Sequence, residues 1–218
     1  MSDTRSVLPA ILPIFPLPGV LLLPRGRLPL NIFEPRYLAM TRDALAGERL
    51  IGMVQPSDPR AALAGEPPVF PTGCAGRITA FAETDDGRYL ITLTGTSRFR
   101  IREELEVLRG YRRVVPDWEA FARDREAEAA EPEFDRDRLI HGLKTYFRQQ
   151  QIAADWDVIA KASGERLVTS LAMICPFDPR EKQALLEAVD LAARAALLTA
   201  IVEMAVMTPA PEGGGARH

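Results

Sequence analysis

Proline sets the terms for the first part of this chain. From Leu8 to Leu30 the residues are mostly apolar, yet Pro9, Pro13, Pro16, Pro18 and Pro24 interrupt them every few positions. Proline has no backbone N–H and its ring clashes with the preceding turn, so this stretch cannot be a helix. It can form strands only as short pieces beside turns and edges. Residues 11–15, 20–23 and 27–33 are therefore read as short strands. The same interruptions exclude a signal-peptide core or a membrane span, which need an unbroken apolar run. With a polar start at residues 1–5, a cytoplasmic protein with no membrane partner is expected.

Beyond this stretch the signals alternate between strand and helix. Glu34-Pro35-Arg36-Tyr37 reads as a helix start, with proline at the first helical position and an acid before it that suits the positive end of the dipole. This helix should end at Gly47. A strand over residues 50–55 is followed by a loop rich in Pro, Gly and Ala over 56–71. Residues 74–83 and 88–94 then flank Asp85-Asp86-Gly87, a hairpin turn in which the glycine can adopt positive φ. Strands over 98–107 and 112–118 continue the pattern, and short strands at this spacing suggest a closed or nearly closed barrel.

Composition changes over residues 120–133, where Ala, Glu and Arg dominate, and this segment reads as a linker. Residues 134–207 look helical. Leu139, Leu143 and Phe147 share one face, and Leu167, Leu171 and Ile174 repeat the spacing before Pro176. Asp178, Pro179 and Glu181 form the strongest helix start, with Leu185, Val189, Ala192 and Ala196 on one long final helix. The fold class is thus α+β, with a barrel lobe over 1–119, a helical subdomain over 134–207 and a disordered tail over 208–218.

Several function classes are excluded by composition. A net charge of −3, with 26% charged and 47% hydrophobic residues, suits a folded protein and argues against a general nucleic-acid binder. Two cysteines, Cys74 and Cys175, make neither a disulfide framework nor a thiolate zinc site. His141 and His218 are too few for a recognisable histidine metal site, so no metal or other cofactor is expected.

Two ordered stretches carry a family resemblance. Leu12-Pro13-Ile14-Phe15-Pro16-Leu17-Pro18 is followed by Leu28-Pro29-Leu30-Asn31-Ile32-Phe33-Glu34-Pro35-Arg36-Tyr37. Gly95-Thr96-Ser97-Arg98-Phe99 and a Pro176-Phe177 start to the last helix agree with them. Together they resemble the N-terminal substrate-binding domain of Lon proteases, over about residues 8–207. The resemblance implies a PUA-like barrel followed by a helical subdomain, with Pro16, Pro18, Phe33, Glu34, Pro35, Arg36, Tyr37, Arg98 and Phe99 as structural motif residues. It implies engagement of unfolded or degron-bearing protein segments, with a separate ATP-dependent protease or chaperone as a further partner. No Gly-x-x-x-x-Gly-Lys-[Ser/Thr] loop occurs in the sequence. The chain also ends where the ATPase of Lon would begin, so no catalysis is expected.

Particular residues allow sharper readings. Glu34 with Arg36 could be an acid and its anion-binding partner, but general acid–base chemistry needs a second positioned group. Arg98, Arg100 and Arg102 alternate onto one strand face, joined by Arg109, Arg112 and Arg113. They read as a solvated face offset by Glu103, Glu104 and Glu106, and the alternative is an RNA-binding or translation-linked surface. Ser170, Cys175 and His141 lack a nucleophile-elbow context. Tyr111, Trp118, Phe121 and Trp156 are the candidates for a peptide-binding groove between barrel and helices.

Overall fold

The computed structural model describes residues 8–58, 67–126 and 133–207. Strands β1 (Leu12–Pro16), β2 (Arg27–Ile32), β3 (Leu50–Val54), β4 (Thr72–Glu83), β5 (Tyr89–Leu108) and β6 (Tyr111–Asp117) form one sheet in the order β2-β5-β4-β3-β1-β6. A further pairing of β5 with β6 turns that order into a ring. Five strands thus close into the PUA-like barrel, and β2 lies against β5 alone as an added edge. The edge position suits Pro29, which has no N–H for a second neighbour. Among the described residues only β1 and β3 pair in parallel, because helix α1 (Pro35–Ala46) carries the chain across between them.

Closure depends on the length of β5. Its first half pairs with β2 and β4, and its second half with β6, so a single 20-residue strand serves both sides of the ring. Leu12, Ile14, Leu50, Val54, Ala75, Phe99 and Val114 fill the interior. Gly73 makes room for Phe99, because a Cβ there would lie 2.7 Å from the ring and from the Met53 carbonyl. The β4–β5 hairpin turns as expected, with Gly87 at φ 79° and its N–H bonded to the Thr84 carbonyl.

The larger core lies outside the barrel, against the helices. It is built from Phe15, Leu21, Leu22, Leu23, Tyr37, Leu139, Leu143, Leu167, Leu185 and Leu198, among others. Residues 20–23, expected as a strand, form none. They pass as an extended segment whose Leu21, Leu22 and Leu23 are buried in the larger core shared by barrel and helices, so tertiary packing rather than pairing explains their apolarity. The helical part comprises α2 (Arg136–Gln149), α3 (Trp156–Lys161), α4 (Gly164–Ile174), α5 (Pro179–Glu187) and α6 (Leu191–Met207). None is long and apolar enough to cross a membrane.

The capping box forms, with Asp178 accepting from the Arg180 N–H and Glu181 from the Asp178 N–H. The long final helix is not continuous: α5 ends at Glu187 and α6 starts at Leu191. The chain breaks at Ala188, and the Asp190 carboxylate accepts from the Ala193 N–H to start α6. Val189, expected on the buried face, is 76% exposed at that break. Of the segment read as a linker, Glu119–Arg125 is a 3-10 helix, kinked at Phe121, and residues 127–132 lie outside the described residues. The tail over 208–218 lies outside them too.

Candidate functional site

Arg98 is not on a solvated face. Alternation along β5 does point it out of the barrel, but the 3-10 helix and α5 cover it there and leave it 4% exposed. Its Nε and Nη2 donate to the two oxygens of Asp124 at 2.9 and 2.8 Å, and Nη1 donates to the carbonyls of Leu186 and Ala188. Arg194 on α6 donates from Nε to the Leu185 carbonyl at 2.9 Å. Two guanidiniums thus satisfy the carbonyls that the C-terminal end of α5 leaves unpaired, where the helix dipole also favours positive charge. Burial, and then repulsion from Arg98, pushes the Arg194 guanidinium down to about 10. This cluster ties β5, the 3-10 helix, α5 and α6 together.

Beside it lies an open depression of about 700 Å³ between barrel and helical part. Pro71 and Thr72 at the start of β4, Arg100 on β5, residues 119–123 of the 3-10 helix, and Glu187 and Val189 line it. The ring of Phe121 packs over the Arg98 guanidinium at 4.4 Å, an arrangement that favours a cation against the ring face. Phe121, Ala120, Ala122 and Val189 supply apolar surface, while Arg100, Arg123, Glu119 and Glu187 supply charge.

The four aromatic residues read as one groove are distributed over four places. Trp118 and Phe121 share the 3-10 segment, but only Phe121 lines the interlobe depression. Trp118 faces the barrel interior, its ring 5.7 Å from that of Phe99 and its Nε1 donating to the Pro9 carbonyl. Trp156 packs on Phe147 in a separate depression on the helical part. Tyr111 lies at the opposite end of β6, where its hydroxyl donates to Asp43 at 2.8 Å and the phenol is pushed up to about 12, by burial first and the Asp43 bond second.

Tyr111 does share a smaller cavity, of about 180 Å³, with the proline-rich motif residues. Pro16, Pro18, Glu34, Arg36 and Tyr37 all line it. Glu34 caps α1 by backbone position alone, while its carboxylate accepts from Arg36 Nε at 3.0 Å. Pro35 begins α1, Tyr37 stacks on Phe15 with centroids 4.1 Å apart, and Arg36 lies 4.6 Å from the Tyr37 ring. Phe33 is 62% exposed and stands outside this cavity. These contacts fix the angle of α1 on the barrel.

The remaining sharp readings are not brought together. Ser170 and His141 are exposed, whereas Cys175 is buried and its thiol is pushed up to about 12 by that burial. Missing from the sequence reading were Asp124, Arg123 and Arg194. Phe121 was the available signal, as the one large apolar residue of an otherwise polar segment.

A family model described as the ATP-dependent protease La (LON) substrate-binding domain matches residues 11–204. Lon protease 2 of Myxococcus xanthus is 25% identical over 194 residues, which are 89% of this chain and 24% of that protein. Lon protease of Syntrophus aciditrophicus is 30% identical over 208 residues, covering 89% of this chain and 25% of the relative. The chain therefore spans about a quarter of the length of these relatives. The crystal structure of a Lon N-terminal domain protein from Xanthomonas campestris superposes with a TM-score of 0.59 at 25% identity, over 87% of this chain and 97% of that one. The N-terminal domain of a Mycobacterium avium complex Lon protease gives 0.56 at 15% identity, over 88% and 97%, and shares the fold.

Proposed function

Because this chain belongs to the family of the ATP-dependent protease La (LON) substrate-binding domain, we propose that it is a non-catalytic module that binds unfolded or degron-bearing polypeptides in the interlobe depression. The observation that carries this reading is the depression itself. It is open, has apolar surface from Phe121 and Val189, and is framed by a buried charge cluster that holds its walls in place. An extended segment can lay side chains on such a floor without displacing any element of the fold. A separate ATP-dependent protease or chaperone would receive the bound chain. Two free cysteines, both buried, are in keeping with work in the reducing cytoplasm.

Equilibrium binding of the protein to a labelled, permanently unfolded polypeptide tests this, with unlabelled unfolded and folded proteins as competitors. Saturable binding that only unfolded chains compete for is expected. Val189→Asp, a change at an exposed position, should weaken it about tenfold by placing a charge on the apolar floor. Absence of binding, or equal competition by folded protein, would overturn the reading.

A further inference from the structure

Which polypeptides such a depression prefers is decided by charge on its rim that no described residue pairs with. Arg100 and Arg123 are exposed on its rim, and neither guanidinium makes a hydrogen bond or ion pair among the described residues. The acids of the same rim are engaged. Glu187 accepts from Gln183 Nε2 at 2.8 Å, and Glu119 pairs with Arg125 at 3.2 Å. Asp117, opposite Arg100 across the β5–β6 pairing, accepts from the Glu119 N–H at 3.0 Å. Beneath the floor, the Arg98 guanidinium pairs with the Asp124 carboxylate, and Arg194 lies in the field of both Asp124 and Glu165.

Resting on the peptide-binding reading above, we infer that the depression selects extended polypeptide segments in which an acidic side chain lies next to an apolar one. The carboxylate reaches the free guanidiniums of Arg100 and Arg123, and the apolar neighbour packs on Phe121 and Val189. Two planar forks without partners match a carboxylate better than any neutral group. A nucleic-acid strand fits less well. Its charge repeats at every nucleotide, whereas the two free guanidiniums meet only a local charge, and Val189 offers a base no face to stack on.

Three twelve-residue peptides test this, identical except for a central Glu, Gln or Lys beside Leu, with blocked ends so that no terminal carboxylate contributes. Binding is read by fluorescence anisotropy at low and high salt, with a single-stranded RNA as competitor. The Glu peptide should bind about threefold to tenfold more tightly than the Gln peptide, as expected for two solvent-exposed charge contacts. That margin should shrink toward one at high salt. The double variant Arg100→Glu/Arg123→Glu should reverse the order and favour the Lys peptide. Both positions are exposed, and an unchanged melting curve confirms that the fold is intact. Equal binding of the Glu and Gln peptides would overturn the acidic preference and leave the peptide-binding reading standing. Failure of all three peptides to bind would overturn both, and RNA that binds more tightly than the Glu peptide at the same site would replace the polypeptide with a nucleic acid.

Discussion

The two junctions that hold this protein together are built of opposite materials. Where α1 meets the barrel, the contact is aromatic and the charges stay outside. Tyr37 lies on Phe15, and the Glu34–Arg36 pair keeps 43% and 38% of its side-chain surfaces in solvent. Where the helical part meets the barrel, the charges are inside, with Arg98 and Asp124 only 4% and 9% exposed. An exposed pair is screened by water and costs little to lose, whereas a buried pair is costly to halve because the survivor stays desolvated. The first junction orients a helix. The second locks a segment of the chain in one place, and the candidate binding surface lies on that segment.

The sharpest way to break this contrast is to remove one partner of the buried pair. Asp124→Ala should lower stability by about 3–5 kcal/mol, measured by urea unfolding, because Arg98 would keep its charge without its carboxylate. The double variant Arg98→Met/Asp124→Leu should recover much of that loss, since neither charge is then buried. If Asp124→Ala cost under about 1 kcal/mol, water would be reaching Arg98, and the two junctions would not differ in kind.

How legible each junction was in the sequence follows from the range of its contacts. The start of α1 is written in neighbouring residues: Glu34 and Pro35 set the helix, and Tyr37 is buried one turn on. The capping box of α5 spans only Asp178 to Glu181 and was equally readable. Arg98 was not, because what buries it lies 26 residues away at Asp124 and about 90 away at the end of α5. Period-two alternation tells which side of β5 a residue takes but not what later covers that side. The break between α5 and α6 was obscured for a related reason. Ala192 and Ala196 continue the helical spacing of Leu185, so the periodicity runs straight across the break at which Asp190 caps α6. The barrel was legible from its punctuation, while its closure by one long β5 was hidden in what read as two strands.

A smaller effect sharpens the aromatic side. Tyr111→Phe removes the hydroxyl donated to Asp43, a contact to a charged acceptor that Arg109 also holds. A loss of about 1–2 kcal/mol is expected at neutral pH. The pH dependence has a definite sign. The Tyr111 phenol is pushed from 10.0 up to about 12 in the folded protein, so between those values the native state holds a proton that the unfolded chain releases. Its contribution is whole below pH 10 and is lost as pH rises toward 12. Unfolding curves between pH 10 and 12 should therefore fall less steeply in Tyr111→Phe than in the parent. An equal slope would mean that the phenol titrates normally in the folded state.

The smallest effect is expected at the most conspicuous motif residue. Glu34→Gln removes the charge that pairs with Arg36, but Glu34 makes no side-chain cap to the helix and both partners are well solvated. The loss should be no more than about 0.2–1 kcal/mol and should shrink further at high salt. Pro35, the Glu34 backbone and the Tyr37 ring would still start and seat α1, so melting by circular dichroism should stay a single transition close to that of the parent. A salt-independent loss of several kcal/mol would show instead that Glu34 acts as a buried charge does. The contrast between an outside-charged and an inside-charged junction would then fail at its first residue, even though Pro16, Pro18, Arg36 and Tyr37 line one cavity with it.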